Sequence, residues 1–217
     1  MKIDQTNYER SVYNLRGGDG AGKTTQIELI SQALSRAGQD PLVSREPGGT
    51  KLAEEIRNWV LHDASSIDAE TEVLLMFAAR SHHTKKVIEP ALASGRWVLC
   101  DRYTDASYAY QGGGRGLPNS LIASLEKIAT GGLKPDLTIL LDLGIDAGIR
   151  RTGGRGTSHD RFESEESAFK ERVRAAYHHI ADANGDRVVN LDASQAVGEL
   201  YNQIRILLSE RFGVLID

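Results

Sequence analysis

The sequence predicts an α/β fold in which a parallel sheet is covered by helices on both faces. Short apolar runs recur at residues 11–15, 41–44, 97–100, 137–143 and 187–191. Longer amphipathic stretches separate them, at about 23–37, 51–62, 69–94, 118–130, 145–152, 163–184 and 195–211. Strands that alternate with helices imply parallel pairing, since each parallel connection needs a crossover. Glycine is also clustered, at 17–22, 48–49, 112–116, 131–132 and 153–156, where the backbone has to turn sharply or approach something closely.

Each element has a local reason. The strand runs are short and rich in Val, Ile or Leu, as buried parallel strands are. The first is the weakest, because Asn14 interrupts it. Within 69–94, the spacings Val73–Phe77 and Val87–Leu92 suit a helix face on the core. The alternation runs to both ends, so a single domain is expected over 1–217, with residues 1–10 as a loose arm.

Composition narrows the function. The 30 acidic side chains outnumber the 26 Lys and Arg, giving a net charge of −4, which argues against a protein that coats duplex nucleic acid. Cys100 is the single cysteine and has no internal disulfide partner, which fits a reducing compartment. No apolar run approaches the ~18 residues that a membrane span requires. The first residues, MKIDQTNYER, lack an apolar signal core. The expectation is a cytoplasmic protein without membrane or nucleic-acid partners.

The sharpest motif is Gly17-Gly18-Asp19-Gly20-Ala21-Gly22-Lys23-Thr24, followed by Thr25. It satisfies G-x-x-x-x-G-K-[ST], follows a strand and opens a helix at Lys23. Backbone N–H groups of such a loop converge on phosphate oxygens. Lys23 would reach the β- and γ-phosphates of a nucleotide, and the Thr24 hydroxyl would ligate Mg²⁺. An Asn-Lys-x-Asp motif, which a GTPase uses to read its base, is missing from the chain. ATPases and small-molecule kinases remain.

Other polar groups fall at strand ends, where open α/β sheets bind ligands. Arg45-Glu46-Pro47-Gly48-Gly49-Thr50 follows the second strand, and Asp101-Arg102-Tyr103 ends the third. Arg45 and Arg102 could clamp a second phosphate, and Asp101 suits a carboxylate on the Mg²⁺ side. Residues 150–161 hold four arginines, Arg150, Arg151, Arg155 and Arg161, hinged by Gly153, Gly154 and Gly156. Such a segment is either a solvated charged loop or a lid whose arginine stabilises the transferring phosphoryl group. His82 and His83, and likewise His178 and His179, are adjacent and point about 100° apart on a helix, so they read as surface or capping residues rather than metal ligands.

Taken together, GGDGAGKTT, REPGGT, EVLLMFAAR, DRYTDASYAYQGGGRG, KPDLTILLDL and the DRFE after the arginine segment resemble bacterial thymidylate kinases, from about Val12 to the C-terminus. The resemblance implies a P-loop kinase with a five-stranded parallel sheet and an Arg-rich lid, usually a homodimer, that transfers the γ-phosphate of ATP to dTMP with Mg²⁺. It implies that Asp19 meets the sugar 3′-hydroxyl and the metal side, and that Arg45 and Arg102 hold the dTMP phosphate. It further implies that Phe77 stacks on thymine, that Arg80 bonds the base edge, and that Tyr110 and Gln111 lie beneath sugar and base. Gly20 replaces an arginine that some relatives carry, which assigns the catalytic arginine to the lid, with Arg151 and Arg155 as candidates. Two positions depart from the family pattern: Arg16 stands where a glutamate is usual, and Ala106 where a serine is usual, with Ser107 next to it. Two alternatives stay open at this point, a kinase for another nucleoside monophosphate and a nucleotide-binding protein with lost or weak chemistry.

Overall fold

The computed structural model describes residues 12–18, 20–63, 67–153 and 160–214. Five parallel strands, β1 (Val12–Arg16), β2 (Leu42–Arg45), β3 (Val98–Asp101), β4 (Leu137–Asp142) and β5 (Val188–Asp192), form one sheet in the order β2-β3-β1-β4-β5. The expected α/β class and parallel sheet are therefore present. β1 sits in the centre, with Leu15 in register with Asp101 of β3 and Ile139 of β4. The first strand thus places the loop that follows it midway between the ends of its neighbours.

Alternation along β4 sorts the core. Leu137, Ile139 and Leu141 pack with Ile27, Ile30 and Leu34 of α1 (Lys23–Arg36) and with Leu200, Ile204 and Leu208 of α9 (Val197–Phe212). Leu140 points to the opposite face, onto Phe169, Val173 and Tyr177 of α8 (Ser167–Ala183). Asn14 is fully buried in β1, in register with Cys100 and Thr138. Thr138 accepts a hydrogen bond from Arg187, which pairs with Asp105 at 2.8 Å, so this part of the sheet face is polar.

Around the sheet run α2 (Lys51–Asn58), α3 (Ala69–His83), α4 (Glu89–Ala93), α5 (Thr104–Ser107), α6 (Asn119–Thr130) and α7 (Ile145–Thr152). α2 starts on Thr50, whose hydroxyl accepts from the Ala53 N–H, and α3 starts on Asp68, which caps Thr71. The single helix expected over 69–94 is α3 followed by a π-helical stretch, Thr84–Ile88, and α4. At 108–114, where the glycine cluster implies a sharp turn or a close approach, the chain forms a π-helical segment, Tyr108–Gly114, and the close approach is what is found. These glycines let the segment lie flat on α8, since a Cβ at Gly114 would meet the Phe169 ring at 2.5 Å. Among the described residues, no helix is long and apolar enough to cross a membrane.

Candidate active site at the strand ends

The carboxyl ends of β1, β2 and β3 open into one cleft of about 240 Å³. Its walls bring together Gly20, Gly22, Lys23, Thr24 and Thr25 of the loop and α1, Asp101 and Arg102 after β3, and Tyr110. Glu46, Pro47, Arg57, Met76 and Ala106 also line it. The loop follows β1 and passes directly against β4. Gly17 has φ +147°, and a Cβ there would overlap the Leu141 carbonyl oxygen. Gly17 and Gly18 face a second, largely apolar cavity of about 310 Å³ between β4, α7 and α8, separated from the cleft by Tyr110 and Phe162. Ala21 is buried in the loop. The Lys23 ammonium reaches back over the loop and donates to the carbonyls of Gly17 (3.1 Å) and Gly18 (3.0 Å). Asp19 lies outside the described residues.

Arg102 is the only non-glycine described residue with positive φ, at +69°. That conformation is costly for a residue with a Cβ, and such strain concentrates at functional sites. Here it turns the side chain across the cleft, where the guanidinium stacks on the Tyr110 ring at 4.9 Å. Tyr110 is held in turn edge-on by Phe162 and by Tyr177.

Of the two arginines expected to clamp a second phosphate, Arg102 lines the cleft and Arg45 does not. Arg45 ends β2, but its guanidinium is on the surface, paired with Glu54 at 3.0 Å. Glu54 is held below the usual carboxylate range: burial pushes it up, and donation from the Gly49 N–H and from Arg45 more than compensates. Arg57 takes the inward place. It extends from the last turn of α2 into the cleft and donates to the Pro47 carbonyl at 3.0 Å. Its affinity for its proton is lowered, first by burial and then by the charges of Arg45 and Arg102, with Glu54 and Asp160 opposing. Arg57 and Arg102 therefore face one cleft as mutually repelling cations, a setting that favours a phosphate dianion. Sequence reasoning missed Arg57, although a signal existed: it lies four residues after Ala53, on the flank of the buried face of α2.

Phe77 is not in the cleft. It is buried against Val73 and against Ile122 and Ala129 of α6. Its neighbour Met76 lines the cleft instead. Successive helical residues point about 100° apart, so only one of the pair faces inward to the site. Arg80 lies behind the cleft wall, with its side chain 2% exposed. Its Nε donates to Glu46 at 2.6 Å, Nη1 to the Ser107 hydroxyl at 3.0 Å and Nη2 to the Tyr103 carbonyl at 3.1 Å. Gln111 is likewise buried and donates to Glu72, which also pairs with Arg115 and Arg161. Arg80, Ser107 and Gln111 are thus brought to the rear of the wall, not to its open face.

The arginine segment is described at its two ends. Arg151 donates to the carbonyl oxygens of Ala193 (2.8 Å), Gly20 (3.4 Å) and Ser194 (3.4 Å), tying the end of α7 to the loop after β5. At the other end, Arg161 is anchored on Glu72 at 2.7 Å and on the Leu61 carbonyl. Arg155 lies outside the described residues. Of the histidines, His83 is fully buried, contrary to the surface reading, whereas His178 pairs with Asp142.

The thymidylate kinase family model matches residues 15–204. The chain belongs to the thymidylate kinase family. A thymidylate kinase of Pseudomonas putida is 49% identical over 195 residues, covering 89% of this chain and 92% of that protein. One from Alkalilimnicola ehrlichii is 50% identical over 182 residues, covering 83% and 84%. The crystal structure of thymidylate kinase from Ehrlichia chaffeensis superposes with a TM-score of 0.75 at 30% identity, over 92% of this chain and 98% of that one. As a thymidylate kinase, the chain is a phosphotransferase.

Residues fit for a metal ion are also in the cleft. Oδ1 of Asp101 is buried with no hydrogen-bond partner among the described residues, and the exposed Thr24 shares its cleft. One carboxylate and one hydroxyl beside phosphates suit Mg²⁺, which keeps several waters. Among the described residues no cluster of three His, Cys, Asp or Glu side chains could hold a metal without a substrate.

Proposed function

We propose that the chain transfers the γ-phosphate of ATP to dTMP, giving dTDP and ADP, with Thr24 and Asp101 holding Mg²⁺. The single observation that carries this reading is the cleft itself, in which the Lys23 loop faces the Arg57–Arg102 pair. A donor phosphate site and an acceptor phosphate site are thereby set opposite each other.

Loop N–H groups and Lys23 hold the donor phosphates. Arg57 and Arg102 hold the acceptor phosphate, and Arg45 tunes this site from the rim through its charge on Arg57. An oxygen of the acceptor phosphate forms the new bond to the γ-phosphorus as the bond to the β–γ bridging oxygen breaks, and ADP leaves with that oxygen. The attacking oxygen is already anionic at neutral pH, so positioning and charge stabilisation supply the catalysis. Mg²⁺, when bound, neutralises charge on the β- and γ-oxygens. Arg151 and Arg155 are the lid candidates for the remaining charge, and Asp19 for the sugar hydroxyl.

Met76 and Tyr110 supply the surfaces for base and sugar. Arg80 supports base reading from behind the wall, since three of its five N–H groups have protein partners. Ser107 and Gln111 act through that wall. We infer a homodimer as well. Leu52, Trp59, Leu74 and Ile128 are 46–74% exposed on α2, the π-helical stretch after it, α3 and α6, and these helices pack side by side. The same reading makes the protein cytoplasmic, with its one thiol, Cys100, buried in β3.

The test is a coupled ADP-release assay with Mg·ATP against dTMP, dUMP, UMP, dCMP, dGMP and AMP. Fastest turnover of dTMP is expected. Preference for another monophosphate would overturn the base assignment, and no turnover with any would leave a nucleotide-binding protein.

A further inference from the structure

The turn that carries Glu46 is built around a buried histidine. The Glu46 carboxylate is 2% exposed and has two partners. One oxygen takes Nε of Arg80 at 2.6 Å, and the other takes Nδ1 of His83 at 3.0 Å. The far nitrogen of the ring, Nε2, is 2.7 Å from the Ser44 hydroxyl. A carboxylate paired with a guanidinium only accepts, so Nδ1 carries the hydrogen, and in the neutral ring Nε2 accepts from Ser44. The connected atoms run Ser44, His83, Glu46, Arg80. The first three have the connectivity of a nucleophilic triad. Ser44, however, does not line the cleft, and its hydroxyl lies under Gly49.

Gly49 supplies an independent sign that the ring shapes this turn. Its φ is +80°, and a Cβ there would stand 2.5 Å from two atoms of the His83 ring and 2.8 Å from the Ser44 hydroxyl. The backbone of the turn is pressed onto the imidazole. The same turn reaches the cleft at both ends of the acceptor site. Glu46 orients Arg80, and the Pro47 carbonyl receives Arg57 at 3.0 Å.

We propose that His83, braced by Ser44, is a positioning residue for the acceptor nucleotide, which fixes the Glu46 carboxylate and through it the plane of the Arg80 guanidinium. This rests on the reading of Arg80 as the residue behind base recognition. Without the bond from Nδ1, the carboxylate is held by Arg80 alone, and its rotation about the last torsion pulls the guanidinium against its bonds to Ser107 and Tyr103. The effect is confined to the acceptor side, since Lys23 and Thr24 stand on the other wall, where Lys23 bonds the Gly17 and Gly18 carbonyls.

Two amide substitutions separate the bonds. In His83→Asn the side-chain amide occupies the place of Nδ1 and keeps the bond to Glu46. In His83→Gln it occupies the place of Nε2 and keeps the bond to Ser44 alone. Both lose the ring, so general loss of packing affects them alike. Steady-state kinetics at saturating ATP and saturating dTMP in turn are expected to give a KM for dTMP raised about tenfold in His83→Gln and no more than about threefold in His83→Asn, since small misplacements of positioning groups carry large kinetic costs. The KM for ATP stays within about twofold in both. Equal effects of the two variants would overturn the proposal, as would a parallel rise in the KM for ATP. If either variant fails to fold, Ser44→Ala decides: a higher KM for dTMP alone supports the proposal, and an unchanged one overturns it. Arg80→Met, measured alongside, separates the two layers. An unchanged KM for dTMP there removes the Arg80 reading, whereas a raised KM there with an unaffected His83→Gln removes His83 alone.

Discussion

Replacing Arg57 by Met should divide affinity from stability. The substitution keeps an unbranched stem in the cleft wall and removes the charge. In the folded chain that charge is disfavoured, because burial and the neighbouring Arg45 and Arg102 lower the proton affinity of Arg57. What the protein loses is one hydrogen bond, to the Pro47 carbonyl at 3.0 Å. A hydrogen bond is worth about 1 kcal/mol net. Relief of the repulsion and of the desolvation offsets it, so Tm should move by less than about 4 °C for a chain of this size. The acceptor phosphate, by contrast, loses charge-assisted bonds worth about 1.5–3 kcal/mol, or about 10- to 150-fold in KM for dTMP. The assay is ADP release at saturating Mg·ATP with dTMP varied, beside a thermal melt of the same preparation. An unchanged KM would refute the phosphate role. A fall in Tm of ten degrees would show instead that Arg57 is a structural cation.

Three more outcomes are expected. Lys23→Ala should lower kcat by at least about 100-fold, with the far-ultraviolet circular dichroism of the parent chain, since the lysine stabilises transferring charge while it bonds the Gly17 and Gly18 carbonyls of its own loop. Met76→Ala should raise the KM for dTMP with a small change in Tm, whereas Phe77→Leu should cost about 1 kcal/mol of stability, because Phe77 packs on Ile122 and not on the cleft, with a smaller rise in KM, since its ring lies 4.6 Å from the Arg80 guanidinium; chemical denaturation and kinetics of both variants check the pair. Asp142 is held below the usual carboxylate range, first by hydrogen bonds from Arg174, with burial opposing and His178 assisting. Its folded-state affinity for a proton is thus lower than in the unfolded chain, so its contribution is fully present above about pH 4 and is lost as pH falls through the lowered folded value. Asp142→Asn should therefore flatten the acid limb of stability below about pH 4 in urea titrations, and an unaltered limb would exclude this pair as its source.

Legibility differed by the kind of interaction involved. The phosphate loop was readable because its demands are local: a positive-φ glycine against β4, a lysine and a threonine opening α1. Asp101 and Arg102 were readable for the same reason, as both sit at the end of a strand. The weak first strand had a reason too, since Asn14 belongs to a polar row with Cys100 and Thr138 rather than to the apolar core. The segment after β3 was not readable. Its glycines fit a turn or a close approach equally, and only the structure shows α8 lying against them.

By itself, the sequence determined the α/β class, the place of the phosphate loop between a strand and a helix, and the family to which the chain belongs. Those follow from periodicity and from motifs whose residues are neighbours in the chain. Only the tertiary structure decided which member of each adjacent or nearby pair does what. Arg45 pairs with Glu54 while Arg57 enters the cleft. Phe77 packs on α6 while Met76 faces the site. His83 lies buried beneath Gly49 with Glu46 and Arg80. The physical reason is that helix phase and the docking angle of one element on another set side-chain direction, and a rotation of one residue, about 100° on a helix, exchanges core for cleft.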